Sequence, residues 1–91
     1  MARVFIPPPM RGLTGGEAVV QIEAANLSAL IENLERLYPG MRERIIDDED
    51  ESRLIPGLAA VIDGDASTQG LLHKLVSATE VHFLPAIAGG A

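Results

Sequence analysis

The chain contains no cysteine. That absence removes disulfide scaffolds, thiolate nucleophiles, iron–sulfur clusters and cysteine-ligated zinc from consideration, so any reactive sulfur chemistry has to use something other than a side chain. Aromatic residues make up only 3% of the sequence, namely Phe5, Tyr38 and Phe83, so Val, Ile, Leu and Ala must fill the interior. Basic residues are scarce as well: 7 stand against 13 acidic ones, for a net charge of −6. Such a surface repels phosphate backbones and anionic lipid heads, and neither nucleic acid nor a membrane is an expected partner. Near the N-terminus only Val4-Phe5-Ile6 precedes Pro7-Pro8-Pro9, far short of a signal-peptide apolar region. The expectation is a mature, soluble, cytoplasmic chain.

What is present is globular composition. Hydrophobic residues are 47% of the 91 positions and charged residues 22%, enough to build one core but too little chain for two. Arg3-Val4-Phe5-Ile6 is β-branched and aromatic, and the triple proline behind it ends a first strand. Met10 to Gly16 is turn-rich. Ala18 to Glu23 resumes an extended pattern, so the two strands read as a hairpin with a long loop. Between Asn26 and Tyr38, Leu27, Leu30, Ile31, Leu34 and Leu37 recur at helical spacing on one face, with Asn26 placed to cap the helix and Ser28 a competitor for that role. Pro39-Gly40 interrupts it, and Met41 to Ile46 adds a further turn or two.

Asp47-Asp48-Glu49-Asp50-Glu51 reads as a self-repelling, solvated loop. Leu58-Ala59-Ala60-Val61-Ile62 reads as a buried strand closed by the turn Asp63-Gly64-Asp65. Gly70 to Leu75 is ambiguous between a small strand and a helical turn. Glu80-Val81-His82-Phe83-Leu84 is the last strand, ended by Pro85, with Val81 and Phe83 expected on the core face and His82 and Leu84 on the other. The order fits an α+β fold: a mixed sheet of four to five strands with one main helix packed across it. Residues 1–84 form the domain, and residues 85–91 a flexible C-terminal arm that spans roughly 23 Å when extended.

On local physics alone that arm reads as a frayed end with no role. Gly89 and Gly90 lack Cβ atoms, so the backbone there can enter a narrow channel and present its carbonyl. The run Glu80-Val81-His82-Phe83-Leu84-Pro85-Ala86-Ile87-Ala88-Gly89-Gly90 resembles the closing signature of the MoaD/ThiS family of ubiquitin-like sulfur carriers, whose fold is the β-grasp. Met10 to Gly16 and Leu34 to Arg44 look most like its CysO-type branch. The resemblance implies a carrier, not an enzyme. The Gly90 carboxylate would be adenylated by an E1-like enzyme at the expense of ATP, which that partner uses, and sulfur would then displace AMP to leave a thiocarboxylate. A sulfur acceptor synthase of cysteine, thiamin or molybdopterin biosynthesis would take the sulfur.

On this reading Gly90 is the reacting site and Gly89 gives clearance, while Leu84, Phe83, Pro85 and Ile87 are docking positions for the partner. The chain departs from the family in Ala91, which blocks the Gly90 carboxylate. Either a peptidase removes it before activation, or it is an added residue, or the chemistry has been lost. Three other uses of the same tail stay open: the small subunit of molybdopterin synthase, a ubiquitin-like protein modifier, and an interaction domain with an inert end.

Other motifs carry less. His73 and His82 have neither a cysteine nor a carboxylate at ligand spacing, so no metal is expected. Gly12, Gly15 and Gly16 lack the Gly-Lys-Ser/Thr ending and the following helix of a phosphate loop. The acidic run lacks the spaced ligands and central glycine of a calcium loop. No bound cofactor is expected.

Overall fold

The computed structural model describes residues 1–66, 70–76 and 78–85. Strand β1 (Ala2–Phe5) pairs antiparallel with β2 (Val19–Ile22), Val4 lying opposite Val20. The connection between them is not an open loop. Pro8–Thr14 forms a 3-10 helix that begins on the preset φ of proline and ends at Gly15 in the left-handed region. Thr14 is buried, its hydroxyl donating in a shared geometry to the carbonyls of Arg11 and Glu17 at 3.1 and 2.8 Å. The glycines of this segment suggest a turn, whereas the prolines ahead of them start a helix.

Helix α1 (Leu27–Leu37) starts where the Asn26 side chain accepts the Ala29 amide at 2.8 Å. It buries Leu27, Leu30, Ile31 and Leu34. Leu37 departs from the expected stripe: it is 61% exposed, because the helix ends there and no further element covers it. Helix α2 (Met41–Ile45) follows Gly40, whose φ of 102° requires glycine. The Glu35 carboxylate accepts the amides of Gly40 and Arg42 at 3.1 and 2.9 Å, joining the end of α1 to the first turn of α2.

The acidic run differs from expectation. Asp47 is buried at 6% exposure, and its carboxylate accepts the Glu49 amide at 2.9 Å and the Arg53 guanidinium at 2.8 Å. Arg42 binds Glu32 and Glu51, at 2.7 and 3.0 Å, so the run is a hydrogen-bonded loop whose repulsion is offset locally.

Strand β3 (Leu58–Ile62) leads through Asp63-Gly64 into β4 (Asp65–Ala66). Both turn residues have positive φ, 51° and 87°, as a two-residue hairpin requires. The small strand therefore lies there, whereas Gly70–Leu72 is a 3-10 helix. Only Ala60 and Ile62 of β3 are fully buried. The helices cover one face of the sheet, so a continuous apolar run still alternates between core and open face.

Strand β5 (Glu80–Pro85) completes a five-stranded sheet of order β2-β1-β5-β3-β4, parallel to β1 and antiparallel to β3. It lies in the middle. Val81 and Phe83 are 0% and 1% exposed, while Leu84 is 45% exposed on the opposite face.

Two outcomes are expected. Phe83→Ala should lower unfolding stability by about 3–5 kcal/mol in a denaturant titration, against about 0.5 kcal/mol for Leu84→Ala; equal losses would contradict the assignment of faces. The Glu49 amide, then the Arg53 guanidinium, hold the Asp47 carboxyl below its ordinary 3.8 against the opposing effect of burial. With the folded value below the unfolded one, the stabilisation is whole above about pH 4 and is lost as pH falls through the folded value. Stability of Asp47→Asn should accordingly fall less steeply than wild type between about pH 5 and pH 2, and parallel curves would contradict this.

Candidate functional site

The site is built on the strand that leads into the chain's last residues. Two neighbours hold β5 along its length. Arg3, Val4 and Phe5 pair with Glu80, Val81 and His82 on one side, and Leu58 to Ile62 pair with Pro85 back to Val81 on the other. Pro85 is in register with Leu58, so the strand continues through it instead of ending at Leu84. A proline lacks only the amide hydrogen, and its carbonyl and backbone remain compatible with the end of a ladder.

The start of β5 is fixed from both sides. The Thr79 carbonyl accepts the Arg3 amide at 2.8 Å, and the Asp63 carboxylate accepts the Glu80 amide at 2.8 Å while the Glu80 carbonyl takes the Asp63 amide at 2.9 Å. The β3–β4 turn thus clamps the strand. Thr79 itself is buried and its hydroxyl accepts the Val76 amide at 3.1 Å.

On the open face, His82 stacks flat on Phe5 with ring centroids 3.9 Å apart and 6° between the planes. The Arg3 guanidinium stands 5.5 Å from the Phe5 centroid and binds Glu80 at 3.0 Å; Glu80 lies 3.7 Å from His82 Nε2. A stacked, half-covered His82 replaces the simply solvent-facing histidine the sequence suggests, and neither the Phe5 contact nor the Arg3–Glu80 pair is visible without the strand register. Arg3 and Glu80 are both about half exposed, so their pair adds little stability.

The docking positions separate. Leu84 is 45% exposed, whereas Phe83 belongs to the core at 1% exposure. Pro85 is placed by its backbone opposite Leu58. Ile87, Gly89 and Gly90, along with Ala91, lie outside the described residues, and with them the expected arm. Among the described residues there is no cluster of three or more His, Cys, Asp or Glu side chains that could hold a metal ion, and no helix is long and apolar enough to cross a membrane.

Comparison with known proteins accounts for this arrangement. No protein-family model matches the chain. The sulfur carrier protein CysO of Mycobacterium tuberculosis is 32% identical over 89 residues, covering 96% of each chain. The crystal structure of M. tuberculosis CysO superposes with a TM-score of 0.91 at 28% identity, over 96% of this chain and 100% of that one. CysO in the crystal structure of the Amycolatopsis orientalis BexX/CysO complex gives 0.86 at 26% identity, over 99% of this chain and 100% of that one. The helix-covered five-stranded sheet with β5 at its centre is accordingly the ubiquitin-like β-grasp, and the chain belongs to the CysO family of sulfur carrier proteins.

Proposed function

We propose that this protein carries sulfur as a thiocarboxylate on the main-chain carbonyl of Gly90, and that it acts as a substrate of other enzymes in the cytoplasm. The observation that carries the reading is the family match over nearly the whole chain together with the sequence Gly89-Gly90 beyond the central strand. A peptidase adds water across the Gly90–Ala91 bond, releasing alanine and freeing the Gly90 carboxylate. An E1-like adenylating enzyme then binds ATP; the carboxylate attacks the α-phosphorus and pyrophosphate leaves. Sulfur at the sulfide level attacks the acyl carbonyl of the adenylate, and AMP departs with the bonding electrons.

The carrier has a limited chemical task in each step. A carboxylate is a poor electrophile until it bears a good leaving group, and the activating enzyme provides that group and the orientation. Glycine at 89 and 90 leaves the carbonyl unobstructed. Without cysteine, the chain cannot divert the incoming sulfur into a disulfide of its own. Transfer to a cysteine-forming acceptor synthase fits the kind of relative this chain matches.

The activating step is open to a direct test with the host's adenylating enzyme. ATP–pyrophosphate exchange should depend on a chain ending at Gly90, and should be absent when Ala91 is retained. Exchange that proceeds equally with Ala91 in place, or fails with both forms, would contradict the proposal.

A further inference from the structure

An apolar groove of about 340 Å³ opens beside the end of β5. Its walls come from segments far apart in sequence: Pro8 and Pro9 at the start of the first 3-10 helix, Arg44 on α2, Ile55 and Leu58 around the entry to β3, and Leu84. The buried Phe83 lines it as well. Gly57, with φ of 85°, has no side chain to close it and no atom within 4 Å of where a Cβ would stand.

We propose that this groove receives an apolar side chain flanked by a carboxylate, presented by the adenylating enzyme that acts on the chain's end. The inference rests on the carrier reading above. Three observations select that occupant. First, the groove is continuous with the root of the tail: Leu84 and Leu58 line it, and Pro85 is in register with Leu58. Only five residues separate Pro85 from the Gly90 carboxyl, a reach of roughly 17 Å at about 3.3 Å each. An enzyme that holds Gly90 in its active site therefore has to bring its surface over the tail root.

Second, Arg44 is exposed at the rim and has no ion pair or hydrogen bond among the described residues, whereas Arg3, Arg42 and Arg53 each hold a carboxylate of this chain. In a protein of net charge −6, an unpaired guanidinium beside an apolar surface is matched by a carboxylate with an apolar neighbour. Third, the proline wall has its φ angles fixed and the opposite wall is tied by the Ile55 amide to the Ile45 carbonyl at 2.9 Å, so little ordering cost falls on binding. The open sheet face lacks this combination, because its cation, Arg3, is already paired with Glu80.

The test is steady-state adenylation of the full-length carrier, matured to Gly90, with the concentration of carrier varied. Arg44→Glu and Ile55→Asp should each raise KM about tenfold with kcat unchanged, and Arg44→Lys should recover most of the loss. Melting curves separate the effect from folding; Arg44, which has no ion pair or hydrogen bond among the described residues, keeps the test sound if Ile55→Asp fails to fold. Wild-type carrier that is not adenylated at all removes the carrier reading and this inference with it. Adenylated wild type with unchanged KM in both variants leaves the carrier reading standing and overturns the groove assignment. So does a KM that falls on Ile87→Ser, which would place the chain's own end in the groove, or a self-association abolished by the variants, which would place a second copy there.

Discussion

The pairing of β5 between β1 and β3 is the constraint on which the rest of this structure depends. One strand six residues long joins the N-terminal hairpin to the β3–β4 hairpin. Its alternate side chains, Val81 and Phe83, enter the core beneath α1, and its intervening residues build the open face. Pairing along both edges satisfies the backbone of the strand that leads to the chain's last residues, and burying Phe83 anchors it in the core. If the chain is gripped by its last residues, as proposed, the segment before them has to be held firmly, and a central strand paired on both edges provides that hold.

The division of labour follows. On the proposed reading the reactive group is a main-chain carboxyl, and the folded body is left to offer surfaces for recognition: a groove at the tail root and an open face with Phe5, His82 and Leu84. No side chain needs a shifted pKa for such a role. The shifts that do occur lie elsewhere: Asp47 and Asp50 are held ionised by amides and by Arg53 or Ser52, and Arg42 is held charged by Glu32 and Glu51. These groups organise the loop between α2 and β3.

The elements with a clear period were legible in the sequence. The α1 stripe, its Asn26 cap, the β1–β2 hairpin and the alternation of β5 follow from side-chain spacing that local physics fixes. What escaped depends on contacts between distant segments. Asp47 looks like one more charge in a solvated run until Arg53 and the Glu49 amide close around it. Leu37 looks like core until the helix ends beneath it. The triple proline reads as a stop, yet it starts a helical turn and walls a groove. The assignment of Gly90 as the reacting position rests on resemblance alone, since Gly-Gly at a chain end has no local signature of chemistry and those residues lie outside the described ones, and the groove was not legible at all because its walls come from four separate stretches of chain.

The central claim is that sulfur travels on the backbone carboxyl of Gly90, and intact-mass spectrometry of the protein from its own host tests it most directly. Isolated together with its sulfur-activating partners, the chain should have lost one alanine and gained the mass difference of a single oxygen exchanged for sulfur, with fragmentation placing that change on Gly90. A chain that keeps Ala91 and all its oxygen when the cell is short of reduced sulfur would contradict it.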